Sequence, residues 1–275
     1  MAVVIDGFEA LVRYRKEISD YLKKIRHWVR HGKEKIVVLG VGGVGKTTLG
    51  RVLSGKALSP GEDYQESIDI ENFGYNGRVF GSVIVAPGQS RRRQFHWPIV
   101  RTQIASGEIL GIIYVVAAGY NALREIEPSE HELYAAGMST AQFMEKYRAS
   151  NLQNELQTLK SELSQALKDS PGRIWFVTAV LKQDLWAMNY KEVMSFYKDG
   201  PYADAVRDIA QCRGCNEFIY ECLPVSLLIE NLETRRGLVL AETAPGFDSA
   251  KQLESVREFS RAISELIVDR EVRGG

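Results

Sequence analysis

The sequence predicts an α/β fold of the P-loop NTPase kind: a doubly wound, mainly parallel sheet with one antiparallel edge strand, preceded by an N-terminal helix. Three observations carry this. A short β-branched run, Lys35–Leu39, leads into a glycine-rich turn, Gly40–Gly45, and then into Lys46 and Thr47. The apolar runs Leu110–Ala118, Ile174–Val180 and Phe218–Val225 read as strands, and their lack of polar alternation suits strands covered on both faces. Helical periodicities fall between these runs, and strands alternating with helices imply parallel pairing.

Taken in order, residues 8–31 form an amphipathic pattern in which Phe8, Leu11, Val12, Ile18, Leu22, Ile25 and Val29 recur near the helical period, with Gly32 as a C-cap. After the first strand, a helix runs from near Lys46 to about Gly55. Ser67–Phe73 and Arg78–Val85 read as two strands joined by Gly74-Tyr75-Asn76-Gly77, and Asn-Gly is a strong hairpin signal. This hairpin supplies the antiparallel edge. Residues 120–139 are polar and weakly patterned, an insertion that would serve as a lid or a partner surface. Ser139 with Gln142 is a capping box for a helix reaching about Lys168. Ser249 with Gln252 repeats that signature for a final helix whose inward face is Leu253, Val256, Phe259, Ile263 and Leu266. The domain expectation is an N-terminal helix over 1–33 and one P-loop domain over 34–270.

Composition narrows the class. The 275 residues are 45% hydrophobic and 25% charged, so the chain can bury a sizeable core in one large domain with additions. The 35 basic residues balance the 35 acidic ones, and whole-chain charge gives no argument for nucleic-acid binding. The cysteines Cys212, Cys215 and Cys222 are too few and odd in number for a disulfide-stapled secreted domain. One C-x-x-C pair is a weak zinc signal, and free thiols are preferred because every histidine is distant in sequence. The N-terminus lacks a basic region followed by an apolar one, and no apolar run approaches the ~18–20 residues of a membrane span. The expected compartment is the cytoplasm.

Gly40-Val41-Gly42-Gly43-Val44-Gly45-Lys46-Thr47 matches G-x-x-x-x-G-K-[ST] in full. Glycines let backbone N–H groups turn inward around phosphates without a Cβ clash. The N-terminus of the following helix adds partial positive charge. Lys46 is placed to reach the β- and γ-phosphates, and the Thr47 hydroxyl to ligate Mg²⁺.

Further motifs follow in order. Val85-Ala86-Pro87-Gly88-Gln89 ends a strand, Lys182-Gln183-Asp184-Leu185 follows the strand ending at Val180, and Pro224-Val225-Ser226 closes the last strand. With the phosphate loop, these resemble the motifs of Ras-like small GTPases, over roughly residues 35–268, as a divergent relative of prokaryotic type. The resemblance implies that Gly88 donates its N–H to the γ-phosphate, that Gln89 orients the attacking water, and that Asp184 accepts from the guanine N1 and exocyclic amine while the Lys182 stem lies across the base. Adenine presents the opposite donor–acceptor pattern, so one buried carboxylate can select guanine. Ser226 either supports the base edge or is a plain strand-end serine. Ser67 is the best substitute by position for the family's Mg²⁺-contacting threonine. The nucleotide-binding set is then Gly40, Gly42, Gly43, Val44, Gly45, Lys46, Thr47, Thr48, Gly88, Lys182, Asp184 and Ser226, with Gln89 and Lys46 catalytic and Thr47 and Ser67 on the metal.

Two positions depart from the family. The aspartate that holds Mg²⁺ through water is Val85, and the Asn or Thr before the lysine is Leu181. Val85 keeps open a pseudo-GTPase scaffold that binds nucleotide and hardly hydrolyses it. The phosphate loop also resembles that of P-loop signalling ATPases, but no strand ends in the acidic pair those need. The implied function is a guanine-nucleotide switch that hydrolyses Mg·GTP slowly and offers residues 57–70 and 88–97 to a protein effector or regulator. Arg91, Arg92 and Arg93 are read as solvated or partner-facing rather than catalytic. The basic side of the first helix, Arg13 to Arg30, is read as solvated in preference to a lipid-binding face.

Overall fold

The computed structural model describes residues 35–54, 71–73, 82–85, 90–107, 109–123, 127–164, 167, 174–212 and 218–274. The N-terminal helix over 1–33, Ser67, the turn Gly74–Gly77, Gly88, Gln89 and Cys215 lie outside the described residues, as does most of the expected partner surface.

The framework is a six-stranded sheet in the order β2-β3-β1-β4-β5-β6. The strands are β1 (Lys35–Leu39), β2 (Glu71–Phe73), β3 (Ser82–Val85), β4 (Ile109–Val116), β5 (Trp175–Val180) and β6 (Ile219–Pro224). All adjacent pairs are parallel except β2 with β3, where Glu71 faces Val85 and Phe73 faces Val83. The hairpin strand is therefore the antiparallel edge that the sequence predicts.

Crossover helices cover both faces: α1 (Lys46–Ser54), α2 (Ser90–Ala105), α3 (Thr140–Thr158), the short α4 (Gln183–Trp186), α5 (Tyr190–Lys198), α6 (Pro201–Cys212) and α7 (Ser249–Gly274). Side chains alternate between the faces along each strand. Val37 and Leu39 pack with Val100 of α2, Phe143 of α3 and Val206 of α6. Ile36 and Val38 face the other way, onto Leu49 of α1 and Phe259 of α7. Because both faces are covered, β4 and β5 carry no polar alternation, as the apolar runs required.

The capping box at the start of α3 is present: the Ser139 hydroxyl accepts from Gln142 N–H, and Ser139 N–H donates to Gln142 Oε1. Past Thr158 the helical path widens into a π-turn, Leu159–Leu163. The expected cap of α7 is corrected. Asp248, one residue before Ser249, caps it, accepting from Ala250 N–H at 3.1 Å and Lys251 N–H at 3.0 Å. A carboxylate at an N-terminus also meets the positive end of the helix dipole. Gln252 instead donates to Leu227 O at 2.8 Å, tying α7 to the segment after β6. The inward face of α7 is as expected, with Leu253, Val256, Phe259, Ile263 and Leu266 all buried.

Between β6 and α7 the chain forms a small antiparallel pair, β7 (Leu232–Glu233) with β8 (Val239–Ala241). Cys212 ends α6, and Cys222 is a buried free thiol whose pKa burial pushes up to about 12. Among the described residues no helix is long and apolar enough to cross a membrane.

Candidate functional site

The phosphate loop leaves β1 and enters α1 with the geometry that its glycines allow. Gly40 has φ +139, and a Cβ there would lie 2.2 Å from the Val115 carbonyl oxygen. Gly43 has φ +75, and a Cβ there would lie 2.8 Å from Ala122 N. Both positions exclude a side chain. Lys46 is buried and donates from Nζ to Val41 O at 2.7 Å, so its ammonium spans the loop it belongs to. Thr47 is buried in the first turn of α1. The N–H groups at the N-terminus of α1 and the helix dipole favour an anion there.

The second loop begins where β5 ends. Leu181 N–H donates to Val116 O at 2.8 Å and Gln183 N–H to Val225 O at 3.3 Å, so the loop is held from both neighbouring strands. Between them Lys182 takes a left-handed conformation, φ 59 and ψ 39. For a residue with a Cβ this costs energy that surrounding contacts must offset, and such positions cluster at functional sites. One offsetting contact is Lys182 Nζ donating to Tyr120 O at 2.6 Å.

Asp184 is 2% exposed. Its Oδ1 lies 3.0 Å from the Ser226 hydroxyl and its Oδ2 accepts from Glu230 N–H at 3.3 Å. The Ser226 hydroxyl has a second acceptor, Leu228 O, at 2.9 Å. It has a single proton, and an ionised carboxylate is the stronger acceptor of the two. Burial pushes the Asp184 carboxyl up to about 6, opposed by Glu230 N–H, the Ser226 hydroxyl and the Lys182 charge. Each oxygen retains a lone pair for another donor.

The two loops share one cavity. It holds about 460 Å³ of empty space, including its open mouth, and Val44, Gly45 and Thr48 line it with Lys182, Asp184 and Leu185. Glu230, Asn231 and Leu232, from the stretch after β6, close another side. Gly40, Gly42, Gly43, Lys46 and Thr47 belong to the same phosphate loop, and Ser226 adjoins through Asp184. Val85 ends β3 opposite Val38 of β1, two residues before the loop begins.

Among the described residues no group of three or more His, Cys, Asp or Glu could hold a metal ion. Thr47 is the described member of the expected metal set, and its hydroxyl oxygen is a hard donor of the kind Mg²⁺ accepts beside phosphate oxygens. The Thr47 position thus fits a phosphate-bound Mg²⁺, whereas valine at 85 gives the ion nothing.

The sequence reading missed three participants. Asn121 donates from Nδ2 to Gly42 O at 3.3 Å, and Ala122 N–H donates to Gly43 O at 2.9 Å. Glu155 of α3 is fully buried. Its signal was an acidic residue between Leu152 and Leu159 on a helix face otherwise turned inward.

The sequence matches no protein-family model and no curated protein. Solved structures show distant similarity. An ADP-ribosylation-factor-like GTP-binding protein (small COPII coat GTPase) of Encephalitozoon cuniculi, in complex with GDP, is 12% identical at a TM-score of 0.44, covering 98% of this chain and 96% of its own. Toc33 of Arabidopsis thaliana is 12% identical at 0.44, covering 94% and 93%. A probable GTP-binding protein, engB, is 15% identical at 0.42, covering 86% and 100%. These values are too low to carry an argument, and the P-loop α/β fold stated here rests on the chain's own strand order and loop geometry.

Proposed function

We propose that the chain is a guanine-nucleotide switch: it binds Mg·GTP, hydrolyses it slowly to GDP and phosphate, and changes the surface it offers to a protein partner. The observation that carries the reading is the single cavity in which a P-loop and a buried carboxylate, Asp184, meet across Thr48 and Lys182. A P-loop alone serves any nucleoside triphosphate. A buried carboxylate facing the same space favours a base edge that presents two donors, as guanine does.

In this reading the α1 N–H groups and Lys46 hold the phosphates, and the Lys182 stem covers the base. Ser226 holds the Asp184 carboxylate so that it meets the base edge without first reorganising. Thr47 would hold Mg²⁺, which would neutralise charge on the transferring phosphoryl group. Gln89 would orient the attacking water, and Gly88 would sense the γ-phosphate. Loss of that phosphate would relax residues 57–70 and 88–97, the expected partner surface.

The test compares fluorescent GTP and ATP binding in the wild type, Lys46→Ala and Asp184→Asn. The expected result is preference for GTP, loss of binding with the first substitution and loss of base preference with the second. Equal affinity for both nucleotides in the wild type would refute base recognition by Asp184. The pseudo-GTPase alternative is favoured by one specific feature, Val85, and single-turnover GTP hydrolysis separates the two.

A further inference from the structure

Glu155 stands in the middle of α3 with its carboxylate enclosed on every side. A carboxylate so placed is costly unless it is fully hydrogen-bonded. Glu155 Oε1 accepts from Ala117 N–H at 3.2 Å, and Oε2 accepts from the Tyr197 hydroxyl at 2.5 Å. The Gly119 amide also favours the charged form of the carboxyl. Burial pushes this group up to about 7, against the pull of the Tyr197 hydroxyl, the two amides and the Lys182 charge.

What Glu155 grips is a turn in an unfavourable conformation. Ala118 has φ 51 and Gly119 has φ 79, and a Cβ on Gly119 would lie 2.6 Å from Arg148 O. Such a turn persists only where its surroundings over-determine it. The same stripe of α3 supplies the rest, because residues four apart share a helix face. Asn151 donates to Gly119 O at 3.0 Å, and the Tyr147 hydroxyl to Asn121 O at 3.4 Å. The Arg148 guanidinium lies 4.4 Å from the Tyr120 ring centroid.

The other side of the turn meets both loops of the cavity. Asn121 Nδ2 and Ala122 N–H hold Gly42 and Gly43, and the Tyr120 carbonyl receives Lys182 Nζ. Leu181, next to that lysine, has no polar side-chain group with which to tie the loops together.

We infer that Glu155 is a positioning residue for the nucleotide site: through the turn Ala117–Ala122 it fixes the phosphate loop and Lys182 in one relative placement, with Asn121 as the strut. The inference rests on the proposed function for what the site binds. It does not rest on it for the mechanical link. Glu155 touches no part of the cavity itself, so its effect is transmitted by backbone. Two loops set in one register before ligand arrives bind without first being ordered.

The test uses the full chain with Glu155→Ala, Glu155→Gln and Asn121→Ala. Leu156→Ala, a half-buried core truncation one residue away on α3, is the control for general destabilisation. Fluorescent-GTP affinity and thermal midpoint are measured for each. Loss of a charged hydrogen-bond hub predicts a fall in affinity of about tenfold for Glu155→Ala. Glu155→Gln, which keeps an acceptor for Ala117 N–H, restores most of that loss. The Glu155→Ala, Asn121→Ala double variant binds no worse than the weaker single variant within about threefold, because both substitutions break one link. Affinities that simply follow the thermal midpoint through all variants, Leu156→Ala included, would overturn the inference.

Amide exchange at Ala122 in nucleotide-free protein gives a readout independent of ligand. Faster exchange in Glu155→Ala but not in Leu156→Ala supports the link, and unchanged exchange refutes it. A wild type that binds neither GTP nor ATP ends the functional proposal, while the exchange result still decides this one.

Discussion

The Ser226 hydroxyl, two residues past β6, lies 3.0 Å from Oδ1 of Asp184, in the short helix α4 that follows β5. Both residues are buried, and both are held independently: Ser226 N–H donates to the Ser255 hydroxyl at 3.1 Å, and the Asp184 carbonyl accepts from Ala244 N–H at 2.7 Å. The carboxylate is thus aimed by the sheet edge and by the segment leading into α7.

Ser226→Ala removes one donor from a buried carboxylate. The Asp184 charge then loses a hydrogen bond, at a cost of about 1–3 kcal/mol. GTP affinity should fall by about tenfold, while ATP affinity, which does not use that carboxylate, should hold. Parallel titrations with the two nucleotides check this. Equal losses for both would mean that Ser226 supports the fold and has no part in base choice.

The pH dependence has a definite sign. Asp184 is raised from 3.8 to about 6 and Glu155 from 4.5 to about 7, in both cases chiefly by burial. Between the ordinary and raised values the folded chain binds protons that the unfolded chain has released. The stability these groups contribute is therefore full below the ordinary values and is lost as pH rises through about 6 and about 7. Urea midpoints of nucleotide-free protein should fall from mildly acidic to mildly alkaline pH, less steeply in Glu155→Gln. GTP binding should run the other way near pH 6, because only the ionised Asp184 accepts from two base donors. A GTP affinity that is flat across that range would remove Asp184 from base recognition.

Gly43→Ala tests the fit of the phosphate loop against the Ala117–Ala122 turn. The added Cβ meets Ala122 N at 2.8 Å, and the backbone sits at φ +75. A methyl group in that conformation, pressed on backbone rather than on a movable side chain, should cost about 2 kcal/mol. The urea midpoint should drop and GTP binding should weaken with it. Gly137→Ala, at a comparable φ of +83 with nothing within 4 Å, separates backbone strain from collision. If the two variants lose the same stability, the close packing of loop on turn plays no part.

The phosphate loop, the antiparallel edge and the inward face of α7 were legible because local chemistry dictates them. Glycines at fixed spacing, a two-residue turn signal and a 3.6-residue period each act over a few neighbours. Asp184 was legible by type and order. The turn at Ala117–Ala122 was not, because Ala-Ala-Gly-Tyr-Asn-Ala carries no signal that it bears on Gly42 and Gly43, some 79 residues away for the Asn121 contact. Glu155 was hidden for the same reason. Its partners, Ala117 and Tyr197, are 38 and 42 residues distant, and only the assembled fold makes a buried carboxylate there affordable. The α7 cap shows the milder form: Ser-x-x-Gln fits the capping pattern, but the Gln252 amide turns to Leu227 O, to which its Nε2 donates, and Asp248 caps the helix in place of Ser249.

Val85 bears on whether the chain turns nucleotide over. It closes β3 beside Val38, with Gly40 two residues further along the chain, just past β1. A carboxylate at 85 would therefore start from the rim of the phosphate loop, where it could hold a water on Mg²⁺. Restoring it should raise single-turnover GTP hydrolysis by about tenfold or more, since fixed charge that orders a metal and its waters acts where transition-state charge develops. Gln89→Leu in the Val85→Asp background should remove the gain, because the attacking water would lose its guide. Nucleotide affinity in the absence of Mg²⁺ should change little in either variant. A wild type already as fast as Val85→Asp would show that another group supplies what the valine cannot. A Val85→Asp variant that binds GTP tightly yet turns over no faster would place the chain among nucleotide-bound scaffolds.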